Sequence, residues 1–279
     1  MTQVFLPRTL DELWDVLDAE PDAKVYAGGT DFLVGFDRRA SRPAGLICIE
    51  RISEISGVSD RGDWIRIGAA TTHRMLLTAP AIREHAAVLA RGVSVLASPP
   101  VRNMGTIGGN VVNASPAGDT LPPLYVLGAE VEIESRISTR QMPIRQFILG
   151  PGVVDLKRGE IVTGLRVRKA SRFSVHHYEK VGRRKAQACS VVGMAALIGL
   201  SESKIIREIR IAWGSVGPTV VTIPDVEHFL VGKPLGVKSL SEAMPLVSGS
   251  VSPIDDVRAT AEYRREIAAR ILLRLAQYS

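Results

Sequence analysis

The sequence predicts an α+β protein, in which a mixed α/β region extends to about residue 170 and a region built on an antiparallel sheet follows. Two observations predict this class. Short apolar strands alternate with helical segments in the first region. From about residue 171, long apolar segments separated by short turns are typical of antiparallel strands: FSVHHYEKVG, ACSVVGMAALIGL and KIIREIRIAWGSVG.

The first helix has a clear start signal. Thr9 and Glu12 form a capping-box pattern, in which a hydroxyl and a carboxylate accept the first amide hydrogens of a helix. The apolar residues that follow fall on one helical face, as expected for a helix packed on a core: Leu10, Leu13, Trp14 and Leu17. We therefore predict a helix that begins after Thr9.

A glycine pair separates the next strand from its helix. Residues 24–27 predict a short strand that ends at Gly28 and Gly29, and Thr30 or Asp31 can cap a following helix. The segment GLICIE predicts the next strand. The sequence therefore predicts a small βαβ-like unit with a glycine turn between its strand and its helix.

The middle of the chain has one ambiguous segment. WIRIGAATT predicts a strand, followed by helices over about residues 73–77 and 80–96. Glycine, proline and asparagine then recur so often in ASPPVRNMGTIGGNVVNASPAGDT that we predict no regular structure there. GAEVEIES and GEIVTGLRVRK predict two more strands, and a last helix is predicted over about residues 255–277.

Composition limits the possible classes of function. Apolar residues make up 46% and charged residues 23% of the 279-residue chain, as in globular proteins. The sequence has no apolar run long enough for a membrane span and no signal-peptide pattern, so we expect a cytoplasmic protein. The basic residues behind the net charge of +6 are dispersed, which favours an acidic protein partner or a solvated surface over nucleic acid.

The cysteines and histidines predict no metal site. Cys48 and Cys189 lie in apolar, strand-like segments, which predicts buried, reduced thiols. Two cysteines cannot supply the four thiolates that an iron–sulfur cluster normally takes. His73, His176 and His177 show no metal-ligand spacing, so we interpret them as structural.

Two glycine loops indicate a ligand with anionic oxygens. VYAGGTDFLV and TIGGNVVNASPAGDT each combine a glycine pair with threonine, asparagine or aspartate. Paired glycines after a strand free backbone amides and allow close approach, and a helix N-terminus adds a favourable dipole. Either loop alone is commonly only a turn. Because neither matches the Rossmann or P-loop pattern, the two together predict a dinucleotide-like ligand bound outside a Rossmann fold.

Five segments carry a specific resemblance to a known family: YAGGTDFL, RNMGTIGGNVVNASPAGDTLPPL, GEIVTGLRV, EKVGRRKAQACSVVG and DDVRATAEYRRE. In this order they resemble the FAD-binding medium subunit of the xanthine dehydrogenase and aerobic carbon monoxide dehydrogenase family of molybdenum hydroxylases. The resemblance implies a PCMH-type FAD-binding domain, with the fold shared with vanillyl-alcohol oxidase, over residues 1–170 (subdomains of about 1–55 and 56–170). It implies a carbon monoxide dehydrogenase flavoprotein-like C-terminal domain over residues 171–279.

The resemblance also implies which residues contact FAD. Two loops that cradle the pyrophosphate correspond to Lys24, Val25, Tyr26, Ala27, Gly28, Gly29, Thr30 and Asp31, and to Gly105, Thr106, Ile107, Gly108, Gly109 and Asn110. Further contacts are implied at Asn113, Asp119, Ile161 or Val162, and Lys180. The first loop has no histidine where covalent relatives of the wider fold carry one, so noncovalent FAD is expected.

Two of these residues have alternative roles. The Asp119 carboxylate is suited to accept a hydrogen bond from a ribose hydroxyl, but it could instead cap the helix that begins at Leu121. Lys180 is implied near the flavin, where its charge would stabilise the reduced form, but it could be an ordinary edge-strand lysine. Many family members carry an acidic residue where this chain has Gln187, so no carboxylate role transfers there.

The implied function is electron transfer within a larger complex. A large molybdopterin subunit would oxidise the substrate, and a small [2Fe-2S] subunit would pass electrons to FAD on this chain. NAD⁺, a quinone or dioxygen would accept them, and the complex would be a heterotrimer or a dimer of heterotrimers. Two alternatives remain: a self-contained FAD oxidase of the wider fold, for which no base constellation is evident, and a binding module that has lost its flavin.

Overall fold

The computed structural model describes residues 2–35 and 43–279, and its first sheet is a short parallel one. Its strands, in the order β1-β3-β2, are β1 (Gln3–Phe5), β2 (Lys24–Tyr26) and β3 (Gly45–Cys48). Helix α1 (Leu10–Ala19) joins β1 to β2. Residues 31–35 form turns, and the rest of the helix predicted after the glycine pair falls on residues 36–42, outside the described residues.

The predicted start of α1 is confirmed. The Thr9 hydroxyl accepts the amide of Glu12 at 3.1 Å. The Glu12 carboxylate in turn accepts the amide of Arg8 at 2.7 Å, one residue earlier than in the standard capping box. Leu13 and Trp14 are buried, as the helical periodicity predicted.

A five-stranded antiparallel sheet forms the middle of the molecule. Its order is β4-β5-β10-β6-β7, from β4 (Val58–Arg61), β5 (Trp64–Gly68), β6 (Glu130–Glu134), β7 (Thr139–Pro143) and β10 (Ile161–Arg168). A small hairpin pairs β8 (Ile148–Gly150) with β9 (Val153–Val154). Seven helices in the described chain connect these strands: α2 (His73–Thr78), α3 (Pro80–His85), α4 (Ala87–Ser94), α5 (Pro99–Met104), α6 (Ile107–Asn113), α7 (Leu121–Val126) and α8 (Ile144–Phe147).

Two predictions for this region were wrong. The helix predicted over residues 80–96 is two helices, because the chain leaves helical geometry at the buried Ala86. The segment predicted to be irregular contains α5 and α6. The prolines at the start of α5 occupy its first turn, where no amide hydrogen is needed. In α6, tertiary and capping bonds compensate for glycine's low helix propensity.

The C-terminal sheet is antiparallel, as predicted, which together with the mixed first region confirms the α+β class. Its order is β11-β12-β13-β14, from β11 (Val175–Val181), β12 (Val192–Leu200), β13 (Ile206–Gly214) and β14 (Val221–Thr222). The helices that follow are α9 (Pro224–Leu230), α10 (Val237–Ser250) and α11 (Ala261–Arg270). No helix in residues 2–35 and 43–279 is long and apolar enough to cross a membrane.

The last helix begins later and ends differently than predicted. The α-helical part starts at Ala261, and Ile271–Tyr278 continue as a 3₁₀ helix. Asp256 explains the late start, since its carboxylate accepts the amides of Arg258 (2.8 Å) and Ala259 (3.1 Å) and so stabilises a turn. The Thr260 hydroxyl then caps α11 at Tyr263.

Strand β12 is buried on both faces and serves two apolar clusters. The N-terminal cluster, which includes Ile67, Leu89 and Leu124, also contains two residues of this strand, Ala195 and Leu197. The C-terminal cluster, which includes Trp213, Leu240 and Leu272, contains the alternate residues Met194, Ala196 and Ile198. Burial on both faces explains why the sequence of β12 is apolar without alternation.

The cysteine prediction holds for one residue of two. Cys48 is buried, whereas Cys189 is exposed, and both are free thiols. Cys189 lies just before β12, in the loop after β11 and outside the sheet, so its apolar sequence neighbours do not bury it.

Arg264 joins the C-terminal helix to the sheet. The side chain is 3% exposed, and it donates to the carbonyls of Val191 (2.8 Å) and Ser215 (3.2 Å) and to the Asp256 carboxylate (2.7 Å). Without Arg264, the carbonyls of Val191 and Ser215 lose this donor, and each unsatisfied buried acceptor costs about 1–3 kcal/mol. Asp256 also loses one of its two guanidinium partners, so we expect Arg264→Met to lower the free energy of unfolding by about 3–5 kcal/mol in urea titrations.

The control for this variant is Arg265→Met, because Arg265 is exposed and should change stability by less than about 0.5 kcal/mol. Burial alone would raise the pKa of Asp256, but the amides of Arg258 and Ala259 and the Arg264 guanidinium hold it below its usual range. Folding therefore favours the ionised carboxyl, and this stabilisation is lost as the pH falls below about 4. Equal effects of the two variants at neutral pH would contradict the assignment.

Candidate functional site

The two glycine loops lie against each other in the fold. A β-carbon on Gly28 would overlap the carbonyl of Met104, the residue before Gly105 in the second loop. A β-carbon on Gly105 would lie 3.1 Å from the Thr30 hydroxyl of the first loop. Close packing of the two backbones therefore requires glycine at Gly28, and it places segments that are distant in sequence side by side.

A cleft runs between the loops. It is lined by most residues of the two predicted pyrophosphate-binding loops and by Asn113, which was predicted as a further contact: Val25, Tyr26, Ala27, Gly28, Gly29, Thr30, Asp31, Gly105, Thr106, Gly109, Asn110 and Asn113. Three residues of the two predicted loops lie outside the lining. Lys24 is exposed at the start of β2, while Ile107 and Gly108 are buried in α6. Phe32, His73 and Val112 complete the lining and were missed by the sequence reasoning.

The loops differ in the hydrogen bonds of their amides. Within the part of the chain that the structure describes, the amides of residues 28–31 donate to no protein acceptor. In the second loop, Gly108 donates to the Ala69 carbonyl (2.9 Å) and Gly109 to the Thr106 hydroxyl (3.1 Å). The expectation that both glycine pairs free their amides is therefore wrong for the second pair, because α6 and its cap use them.

The paired glycines of α6 serve different purposes. A β-carbon on Gly108 would lie 2.6 Å from the Ala69 β-carbon, so this glycine lets α6 pack on the chain after β5. A β-carbon on Gly109 would meet only the Thr106 hydroxyl, at 3.0 Å, and Gly109 lines the cleft. Gly109 thus gives the cleft a wall of bare backbone that a ligand can approach closely.

Asp119 and Lys180, predicted from distant segments, form an ion pair. The Lys180 Nζ lies 2.6 Å from one carboxylate oxygen of Asp119, and the Tyr178 hydroxyl donates to the other at 3.0 Å. The two charged side chains are 9% and 7% exposed. Asp119 does not cap α7, since Thr120 occupies the N-cap position and no side chain caps this helix.

Burial governs the protonation of this cluster. It raises the pKa of Asp119, against the opposing effects of the Lys180 charge and of hydrogen bonds from Lys180 and Tyr178. Burial also raises the pKa of Tyr178 well above its usual value, with the Asp119 charge adding to the effect. Tyr178 is therefore a neutral hydrogen-bond donor at physiological pH.

Lys180 lines a second cleft, beside the loop of residues 182–188. The Thr120 hydroxyl donates to the Asn110 carboxamide at 2.5 Å, so a residue adjacent to Asp119 is bonded to the lining of the first cleft.

Ile161 and Val162 are buried in β10 and line neither cleft. Gln187, where many family members are acidic, adopts a left-handed conformation with φ of 53°.

Of the three missed lining residues, His73 is the one with an ionisable side chain. It begins α2 after Thr72 caps the helix, and its amide donates to the Gly105 carbonyl at 2.9 Å. The residue is 2% exposed, and its Nδ1 has no hydrogen-bond partner among the described residues. Burial lowers the pKa of His73 to about 4, and the Arg102 charge adds to this, so the ring is neutral. The sequence signal that could have identified His73 is its position directly after a predicted strand and a helix-capping threonine.

Comparison with known proteins identifies the family. Residues 1–168 match the family model described as the FAD binding domain in molybdopterin dehydrogenase, and residues 176–278 match the carbon monoxide dehydrogenase flavoprotein C-terminal domain. The chain belongs to this family of FAD-binding molybdopterin dehydrogenase subunits. FAD is therefore its cofactor.

Relatives match along nearly their whole length. The nicotinate dehydrogenase FAD-subunit of Eubacterium barkeri is 29% identical, with 98% of this chain and 94% of the relative covered. A putative xanthine dehydrogenase FAD-binding subunit of Escherichia coli (strain K12) is 31% identical, with 92% and 88% covered. A solved chain of carbon monoxide dehydrogenase from Hydrogenophaga pseudoflava has a TM-score of 0.92 at 27% identity, with 99% and 97% covered.

The described residues fit a flavin dinucleotide. The first loop supplies unbonded amides to anionic oxygens, and the wall at Gly109 leaves room for close contact. Thr30, Asn110 and Asn113 add side chains that can bond hydroxyl and phosphate oxygens. Which of these residues contact FAD stays a prediction.

Proposed function

We propose that this chain is the FAD-bearing electron-transfer subunit of a molybdenum-containing hydroxylase. The cleft between the glycine loops carries the proposal, because the amides of residues 28–31 and the bare wall at Gly109 suit the diphosphate of FAD. When bound, FAD supplies a carrier that accepts electrons from one-electron donors and releases them to a two-electron acceptor. The chain's own residues hold and orient it.

Partner subunits complete the proposed enzyme. Relatives of this chain are named as the medium chain of carbon monoxide dehydrogenase and the medium subunit of nicotine 6-hydroxylase, which supports an assembly with larger and smaller subunits. In our proposal a large molybdopterin subunit oxidises the substrate, and a small [2Fe-2S] subunit passes electrons to the FAD. NAD⁺, a quinone or dioxygen then accepts the electrons.

Lys180 has a modified role in this proposal. The resemblance implied a positive charge near the flavin, which would stabilise negative charge on the reduced cofactor. The Asp119 carboxylate at 2.6 Å compensates that charge. We propose that the pair presents an ammonium whose position is fixed by Asp119 and the Val95 carbonyl, with a smaller net effect on the flavin potential.

Coexpression tests the proposed assembly. We expect the chain alone to bind FAD but to oxidise no purine, aldehyde, carbon monoxide or aromatic acyl thioester. Coexpressed with the [2Fe-2S] and molybdopterin proteins encoded beside it, it should elute as a heterotrimer or a dimer of heterotrimers, with substrate-dependent reduction of an acceptor. Stable interfaces of this kind bury more than about 1,000 Å².

A variant that cannot hold FAD separates assembly from electron transfer. Gly109→Val should still join the complex, and the complex should still bleach its iron–sulfur absorption with substrate, but transfer to the external acceptor should stop. A chain that is recovered only as a monomer, or that oxidises a small molecule by itself, would favour the self-contained oxidase.

A further inference from the structure

The His73 side chain lies where the two glycine loops converge. A β-carbon on Gly105 would be 3.2 Å from the His73 Cδ2 and 3.1 Å from the Thr30 hydroxyl, so the imidazole and the first loop flank the same point. His73 also lines the cleft, as do residues 28–31, whose amides have no protein acceptor in the described chain.

The His73 ring is polar, yet none of the described residues bonds it. Its Nδ1 is buried without a hydrogen bond, and neither ring nitrogen bonds a residue that the structure describes. Buried polar atoms in folded proteins are bonded in the large majority of cases, and an unbonded one destabilises the fold. A leucine would fill this site without that penalty. The histidine thus favours a ligand over a purely structural role.

We propose that His73 is a further FAD-binding residue, donating a hydrogen bond from its neutral ring to the diphosphate where the two loops meet. The proposal rests on the position of the cofactor proposed above. The neutral imidazole has one N–H to donate, and a phosphate oxygen is an acceptor whose charge strengthens such a bond. The ligand would then give the ring a hydrogen-bond partner, which no residue in the described chain supplies.

Binding and stability measured on the full-length apoprotein test the proposal. ADP is the probe for the diphosphate, with FAD measured beside it and AMP as the ligand without a diphosphate. We expect His73→Leu to weaken ADP and FAD binding by about tenfold to a hundredfold, the effect of losing a bond to a charged group. The melting temperature of the His73→Leu apoprotein should be equal to or above that of the wild type, since an unbonded polar atom is removed. His73→Gln, which keeps a neutral donor, should recover part of the affinity.

Nitrogen NMR gives a readout that needs no folded variant. If His73→Gln or His73→Leu folds, the His73 ring resonance is assigned as the one missing from the spectrum of that variant. If neither folds, it is assigned through its proximity to Gly105. ADP should shift it in the wild-type protein. Wild-type ADP affinity in His73→Leu, or an ADP titration that leaves the His73 resonance unmoved, overturns the proposal.

A second variant distinguishes failure of this inference from failure of the proposed site. If Gly109→Val loses ADP binding while His73→Leu keeps it, the cleft holds the diphosphate and only the His73 contact is wrong. If both variants bind ADP like the wild type, the cofactor lies elsewhere and both proposals fall. A lower apoprotein melting temperature in His73→Leu with unchanged ADP affinity assigns His73 a structural role.

Discussion

Replacing Gly109 with valine should give a folded protein that no longer retains FAD. Gly109 lies in α6 with φ outside the left-handed region, so its backbone accepts a side chain. Among the described residues, only the Thr106 hydroxyl lies near a new β-carbon, and the rest of the valine would occupy the cleft. We expect FAD affinity to fall at least about a hundredfold, or about 2.8 kcal/mol. The purified variant should lack the visible flavin absorption that is expected of the purified wild-type protein.

Variants of two other glycines provide the controls. In Gly108→Ala the new methyl group would clash with Ala69, so we expect a lower melting temperature as well as FAD loss. In Gly249→Ala, near the end of α10, no atom of the described residues lies within 4 Å of the new β-carbon, so FAD binding should be unchanged and the melting temperature should not fall. Stoichiometric FAD in Gly109→Val would count decisively against the cleft as the cofactor site.

Lys180→Met should destabilise the protein by about 3–5 kcal/mol, because it leaves a buried carboxylate without its counter-charge. Asp119 would keep only the Tyr178 hydroxyl as a side-chain donor. The double variant Asp119→Asn/Lys180→Met should recover most of the loss, since it removes the uncompensated charge together with its partner. Urea unfolding of the four proteins in this cycle measures the coupling.

The pH dependence of the same cycle has a definite sign. Burial raises the pKa of Asp119, and loss of Lys180 raises it further. A carboxyl whose pKa is higher in the folded state stabilises the fold below its unfolded pKa of about 4, and that stabilisation is lost as the pH rises. The deficit of Lys180→Met should therefore be larger at pH 8 than at pH 5. A deficit that is equal at both, or that persists in the double variant, would contradict the pairing.

The flavin midpoint potential follows from the same charges. Lys180→Met leaves the negative charge of Asp119 uncompensated, so the potential should fall if the pair lies near the flavin. It should return in the double variant, because neither charge remains. An unchanged potential in Lys180→Met would remove any electrostatic role of Lys180 toward the cofactor.

Local sequence patterns predicted the fold class and two ligand-binding glycine loops, and the resemblance to a known family implied which residues would line the cleft. Glycine pairs beside threonine and aspartate restrict what a loop can do, and an apolar strand such as β12 is recognisable without knowledge of its neighbours. The α+β class and the start of the first helix are local consequences of such patterns. They were confirmed by the Thr9 cap and by the antiparallel C-terminal sheet.

The missed features depend on contacts between distant segments. Helix α6 is stabilised because the Ala69 carbonyl and the Thr106 hydroxyl accept its glycine amides. The helix propensities of the residues do not predict these hydrogen bonds. The burial of His73 beside Gly105 is likewise a tertiary fact. The pairing of Asp119 with Lys180 could not be predicted from the sequence either, since each residue had a plausible local role in its own segment.

Because strand β12 packs into both apolar clusters, the two halves of the chain are expected to evolve together. A fragment ending near residue 170 would keep both glycine loops, but it would lose Ala195 and Leu197 from the apolar cluster beneath them, and Lys180 as well. A gene fusion or a domain exchange near residue 170 would therefore need a new strand whose side chains match the N-terminal apolar cluster. The C-terminal segment can diversify freely only on the surfaces that face away from this strand, and lineages that recruit different partners are expected to vary there.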